Sequence, residues 1–292
     1  MNQSMITAGV TMNALLRKLD IIAGNVANVN TDGFKKKDAT FEDVLNAVKT
    51  RYADQLPGRL TPPGIVIGGG AKLSRIQVNM LQGALRQTDQ PLDIAIDGEG
   101  LFEIGIPVQD EDGGILYERA WTRHGAFKLS VVPGDPDALM LTTAEGYPVM
   151  STGDQPVLVP AGSKLKVETN GVIFAYPEND ETAEPELVGQ LKLVRPVRPQ
   201  LLETRGENLF VLQAGDGNPD LIDELMQVLD LTDTDPDAPA ATRLRQGFLE
   251  GSNVDLAQEM TELIQVQRAF ELNARALQSS DTMMSLVNNL RG

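Results

Sequence analysis

The sequence predicts an α+β fold in which long N- and C-terminal heptad helices pair as a coiled coil around a central, mostly-β domain. Two patterns and one count predict it. Apolar residues recur in steps of three and four at both ends and in steps of two in the middle, and the 27 glycines and 17 prolines fall mostly between the ends. Length agrees, because 292 residues exceed the usual size of one domain. The expected division is a terminal helical domain at 1–34 and 250–292, connecting segments at 35–90 and 206–249 with an acidic insertion at about 214–242, and a β domain at 91–205.

The N-terminal helix rests on Met5, Ala8, Met12, Leu15, Leu19, Ile22, Val26 and Val29, an unbroken alternation of a and d positions. At 1.5 Å per residue such a helix reaches roughly 40 Å. It should stop near Asn30-Thr31-Asp32-Gly33, where turn formers replace helix formers.

At the other end Leu256, Leu263, Phe270, Leu277 and Met284 are spaced by sevens, with Met260, Val266, Ala274 and Val287 beside them. Gly251-Ser252-Asn253 offers capping residues ahead of this run, and Glu259 and Glu262 fall in its first turns, where the helix dipole favours anions. Two matched seams on one chain are expected to pair with each other. A bare hairpin of two helices is the alternative, but it would leave Ile264, Ala269, Leu272, Ala276 and Leu286 wet. Helices from neighbouring copies would cover them.

In the middle, Leu92, Ile94 and Ile96 alternate on one face of a strand. A turn at Asp97-Gly98-Glu99-Gly100 leads to Phe102, Ile104 and Ile106. A hairpin is signalled by Lys164 to Thr169, then Asn170-Gly171, then Val172-Ile173-Phe174, since Asn-Gly suits a tight turn. Gln190 to Val194 reads as one further strand. Residues 216–237 hold eight acidic residues and no Lys or Arg, and read as a surface excursion in which Leu221, Ile222, Leu225, Met226 and Leu229 could form a short amphipathic helix.

Composition excludes several functions. A formal charge of −16 opposes binding to a phosphate backbone, so no nucleic-acid partner is expected. The absence of cysteine removes disulfides, thiolate metal sites and thiol nucleophiles. No run approaches the roughly 20 apolar residues that span a bilayer, so the chain is not expected to cross a membrane. Asn2, Gln3, Ser4, Thr7, Thr11 and Asn13 interrupt any apolar core of a secretory signal.

No catalytic or cofactor site is expected. The single histidine, His124, would have to carry a triad or a multi-histidine metal site alone. Gly68-Gly69-Gly70 lacks the Gly-Lys-Ser/Thr end of a phosphate loop. The acidic runs starting at Asp216 and Asp233 fail as calcium loops, with Leu221 or Ala238 where Gly is needed and Gln227 or Leu244 where Glu is needed. Asp93, Asp97 and Glu99 could be proposed as paired carboxylates, but two of them flank glycine in a turn.

The stretch from Leu19 to Lys35, with Asn25, Ala27, Asn28, Thr31, Gly33 and Phe34, resembles the N-terminal signature of the bacterial flagellar rod and hook proteins. Gln246 to Asp255, with Gly247, Gly251, Ser252, Asn253 and Val254, followed by Glu259-Met260 and Gln267 to Glu271, is similar to the C-terminal signature of that family. Pro91 to Phe102 and Thr122 to Phe127 resemble its shared β domain. Within the family the distal-rod type fits best, on length, on Phe41 to Leu45, on Leu60 to Gly70 and on Gly206 to Phe210; a proximal-rod or hook-type subunit is the second reading. A secreted β-domain enzyme or ligand-binding module is the reading from another class. Gly24 and Asp32 depart from the family's usual Asn and Pro, and the acidic segment lies outside the resemblance.

The resemblance implies a subunit exported unfolded through the flagellar type III apparatus and deposited in the basal body, outside the cytoplasmic membrane. It further implies addition to a helical tube that transmits torque to the hook, with copies of itself, other rod and hook proteins and the export apparatus as partners. The residues expected to pack between subunits are the seams named above: Met5, Met12, Leu15, Leu19, Ile22, Val26 and Val29 at one end, and Leu256, Met260, Leu263, Val266, Phe270, Ala274, Leu277 and Met284 at the other.

Overall fold

The computed structural model describes residues 3–43, 70–109, 115–132, 135–177, 185–206, 208–212, 222, 224–229, 231 and 242–289. The chain divides into two compact units. A helical unit comprises Met1–Val29, Lys37–Gln77 and Val254–Gly292, and a β unit comprises Asn30–Lys36 and Val78–Asn253.

The helical unit contains helix α1 (Gln3–Ala27), strands β1 (Lys37–Asp43) and β2 (Ala71–Val78), which pair, and helix α2 (Leu256–Asn289). Helix α1 ends near the expected stop, where the Asn28 side-chain amide donates to Gly24 O at 2.9 Å. Helix α2 is capped by Asp255, whose Oδ1 accepts from the N–H groups of Ala257 and Gln258 at 2.9 and 3.3 Å. The expected cap at Gly251-Ser252-Asn253 lies too far upstream to reach those amides.

The α+β class holds, but the expected heptad coiled coil does not form. A coiled coil buries only an a/d seam. Here the buried positions of α1 are Ala8, Ala14, Ile22 and Asn25, a set that includes two residues off the seam. The β1–β2 segment explains part of this shift: Ala71 N–H donates to Thr11 Oγ1, Lys37 N–H to Asn25 Oδ1, and the Lys18 ammonium lies 5.6 Å from the Phe41 ring centre. On α2 the buried positions are Glu259 and Val266, whereas Leu256 and Met260 are each 44% exposed and Met284 39%. Helices α1 and α2 lie against each other, with a polar contact between Asn25 and Glu259 where a coiled coil would place apolar knobs.

In the β unit a six-stranded sheet runs β14 (Leu202–Thr204), β15 (Leu209–Leu212), β6 (Ile115–Thr122), β5 (Leu101–Gln109), β13 (Leu193–Pro196) and β16 (Met226–Val228). Adjacent residues of β5 point to opposite faces, so Phe102 and Ile104 enter one core while Leu101 enters another with Trp121, Val194, Phe210 and Met226. Phe102 meets Phe127 edge to face at 5.1 Å. Two three-stranded sheets also form: β7 (Lys128–Val132), β8 (Asp135–Thr142) and β9 (Leu158–Pro160), then β10 (Ser163–Val167), β11 (Val172–Pro177) and β12 (Glu186–Gln190). Short pairs join β4 (Ile94–Asp97) with β17 (Arg243–Gln246), and β3 (Leu85–Gln87) with β18 (Phe248–Glu250).

Three local expectations change. The Asn170-Gly171 hairpin forms, but as a three-residue loop: Gly171 N–H donates to Glu168 O, Glu168 N–H to Val172 O, and Gly171 takes φ of +80°. The single strand expected at Gln190 to Val194 is split, because Gln190 pairs with Val172 of β11 while Leu193 pairs with Phe102 of β5. The short helix expected over Leu221 to Leu229 gives way at Met226–Val228 to strand β16, which pairs with β13. Val44 to Gly69 and most of the acidic segment, including both candidate calcium runs, lie outside the described residues.

Candidate functional site

The signature residues collect in two clusters, one in each unit. In the helical unit the Asn25 side chain is buried and fully used. Its amide donates to Lys37 O at 3.1 Å and to Glu259 Oε2 at 3.2 Å, and its carbonyl accepts from Lys37 N–H at 3.0 Å. An asparagine thus ties α1 both to the start of β1 and to the first turn of α2. Lys18 adds an ion pair to Glu262 of α2 at 2.9 Å.

The cluster in the β unit is larger. The segment 30–36 runs beside 247–253 and is bonded to it repeatedly. Gly33 N–H donates to Glu250 O at 2.6 Å, Lys36 N–H to Asn253 Oδ1 at 2.7 Å, and the Asn253 amide to Asn79 O and Leu81 O, each at 2.9 Å. Gly247 N–H donates to Asp93 O, and Gly251 N–H to Ala84 O. Gly33 is required there: its φ is +73°, and a Cβ would lie 2.7 Å from the His124 backbone. Gly83 is equally constrained, since a Cβ would meet Gly251 O at 2.0 Å.

At its centre are three buried charges, Lys35, Arg123 and Glu250, each no more than 3% exposed. Lys35 Nζ donates to Glu250 Oε1 at 2.7 Å, and Arg123 Nε donates to Glu250 Oε2. Gly83 N–H also donates to Glu250 Oε1, at 2.6 Å. Further hydrogen bonds reach backbone carbonyls: Lys35 to Leu81, and Arg123 to Ile96, Gly98 and Gly100. Burial, and next the Arg123 charge, lower the Lys35 pKa from 10.5 to about 8, with Glu250 opposing them. Reading the sequence missed this triad. Its one signal was a lone glutamate inside the run Phe248-Leu249-Glu250-Gly251.

The candidate chemistry weighed from sequence resolves into structural contacts. Asp93 accepts from Thr88 Oγ1, Asp97 pairs with Arg245 at 2.6 Å and Glu99 with Arg195 at 3.6 Å. His124 contributes its backbone, against which Gly33 packs. Among the described residues no group of three or more metal-ligating side chains converges, and no helix is long and apolar enough to cross a membrane.

The candidate packing residues fall in different environments. Ile22 and Val266 are buried; Met5, Met12, Leu15, Leu19, Val26, Val29, Leu263, Phe270, Ala274 and Leu277 are half-buried; Leu256, Met260 and Met284 are exposed. Of the remaining signature residues, Ala27 is exposed at the end of α1, and Thr31, Phe34, Ser252 and Val254 are half-buried.

Fold and clusters together define a structural protein whose two ends are folded against each other. Residues 245–290 match the family described as flagellar basal body rod FlgEFG protein C-terminal, and residues 5–35 match that described as flagella basal body rod protein. The chain is 34% identical to the flagellar basal-body rod protein FlgG of Borreliella burgdorferi, across 100% of this chain and 99% of the relative. It is 31% identical to the flagellar hook-basal body complex protein FlhP of Bacillus subtilis across 100% of both, and 31% identical to FlgG of Caulobacter vibrioides across 99% of both. The chain belongs to the flagellar basal-body rod protein family, in its distal-rod type. It is a structural rod subunit of the basal body, from a family that is not enzymatic, and it assembles with other rod and hook proteins.

Proposed function

We propose that the chain polymerises with copies of itself into a helical tube that carries torque toward the hook, and that the helical unit supplies the contacts between copies. The observation that carries this reading is the outer face of α2. Leu256, Met260, Ile264, Leu272, Met283 and Leu286 are all exposed, Leu272 at 65% and Leu286 at 58%. On α1, Ile6, Val10 and Leu16 are exposed as well. Apolar exposure on this scale marks an interaction surface, and a contact that repeats without closing builds a filament. Export through the flagellar type III apparatus, to a place outside the cytoplasmic membrane, belongs to the same proposal and rests on the family resemblance.

Ile264→Asp and Leu272→Asp test it. Rods should be missing from purified basal bodies and swimming lost, while emission from Trp121, the only tryptophan, stays that of the folded β unit. Normal rods and normal swimming in both variants would sink the reading. A hook-type position along the same axis has one observation in its favour, the end-to-end match to a relative named for the hook-basal body complex. Labelling the protein in isolated basal bodies separates the two positions.

A further inference from the structure

Lys35 and Arg123 are two buried cations that share a single carboxylate, Glu250, with side chains of all three at most 2% exposed. Their other hydrogen bonds go to the carbonyl oxygens of Leu81, Ile96, Gly98 and Gly100, which carry no net charge. Among the described residues the cluster therefore holds one positive charge without a counter-ion, in surroundings where desolvation makes this costly. Both cations line a cavity of about 140 Å³. Met80, Leu101 and Pro196 give it apolar walls. Arg195 stands at its exposed end, 3.6 Å from Glu99 and 2.8 Å from Gln227 Oε1.

We propose that this cavity binds a carboxylate, which supplies the missing negative charge beside Lys35 and Arg123 and is held at the outer end by Arg195. The charge deficit is one, so a monoanion completes it where a phosphate dianion would overshoot. The planar guanidinium fork matches a carboxylate. At about 30 Å³ per water, the cavity holds a few waters, a volume that a carboxylate with one or two methylenes would displace. The Lys35 pKa, lowered first by burial and next by Arg123, agrees with an unmet demand for negative charge: among the described residues Arg123, Glu250, Glu99 and Arg195 are the charged groups around the cavity, and the cations outnumber the anions. Two sources can supply the group. One is an acidic side chain of a second copy, since the chain carries 41 acidic against 25 basic residues; this source rests on the polymerisation proposed above. The other is a free small carboxylate.

The full-length monomer is titrated with sodium acetate against sodium chloride at equal ionic strength, following the Lys35 side-chain nitrogen by NMR, assigned by its loss in Lys35→Met. Acetate should give a saturable shift and raise the Lys35 pKa above about 8, whereas chloride should not. Arg195→Ala should weaken acetate binding about tenfold with Trp121 emission unchanged. No saturable response beyond that of chloride, or wild-type affinity in Arg195→Ala, overturns the proposal. Neither outcome bears on polymerisation, because the monomer alone is measured. A second arm assigns the source: acetate that slows polymerisation relative to chloride points to a side chain of a second copy, and acetate that binds without slowing it points to a free carboxylate.

Discussion

The helical unit and the β unit are stabilised in different ways. Among the described residues the helical unit buries four apolar side chains, Ala8, Ala14, Ile22 and Val266, and exposes twelve large ones. The β unit has two apolar cores, with Phe102, Ile104, Ile173 and Leu193 at 0% exposure in the larger one, and a buried ionic triad besides. Burial of a large aliphatic or aromatic side chain contributes about 1.5–3 kcal/mol, and burial of an alanine far less. One unit thus has a buried apolar core of its own, while the other leaves most of its large apolar side chains exposed, as the proposed polymerisation requires. Both are closed by residues from the two ends of the chain, through Asn25 with Glu259 in one and Lys35 with Glu250 in the other.

The largest effect should come from Glu250→Gln, which would strand Lys35 and Arg123 as buried cations without a counter-charge. Removing one member of a buried ion cluster costs about 3–5 kcal/mol. Chemical denaturation followed by Trp121 emission should show that loss. A cost near zero would mean that the triad is not what closes the β unit.

Next in size is a pH effect. The folded-state pKa of Lys35 lies at about 8, below the ordinary 10.5. Below pH 8 both the folded and unfolded states hold the proton, and the buried charge costs stability. Between pH 8 and 10.5 the unfolded state binds more protons, so stability should rise with pH through that window, by a few kcal/mol at most. Lys35→Met should flatten that part of the profile. An equal slope in the variant would place its origin elsewhere.

Smaller again is Asn25→Ala, which removes two donors and one acceptor from the helical unit and takes the Asn25 amide away from the buried Glu259 carboxylate. A loss of about 1–3 kcal/mol is expected. It should appear as earlier melting of the helical signal at 222 nm with the Trp121 transition unmoved. Coincident movement of both signals would show that the two units unfold together.

How legible each unit was follows from the range of its interactions. Helix periodicity is local, so both helices and the end of α1 near residue 30 could be read from steps of three and four. The face α1 buries could not, because it depends on β1 and β2, whose short runs carry no clear alternation. The Asn170-Gly171 hairpin was legible as a hairpin, but its loop length was set by the pairing of β10 with β11. Asn25, Gly33 and Asn253 could be recognised as signature positions without revealing their partners. Lys35 and Glu250 lie 215 residues apart, and no pattern along the chain joins them.

The smallest effect on the isolated chain sharpens the comparison most. Leu272 is 65% exposed on α2, so Leu272→Ser removes almost no buried area and should change monomer stability by no more than about 0.5 kcal/mol. A substitution of Ile22, buried against its own chain, would not be so neutral. If the outer face of α2 waits for another copy, Leu272→Ser should raise the concentration needed to polymerise while the helical signal at 222 nm in the monomer stays the same. A monomer that loses more than about 1 kcal/mol would show that Leu272 already packs within its own chain, and the contrast between a complete unit and an incomplete one would fail at that residue.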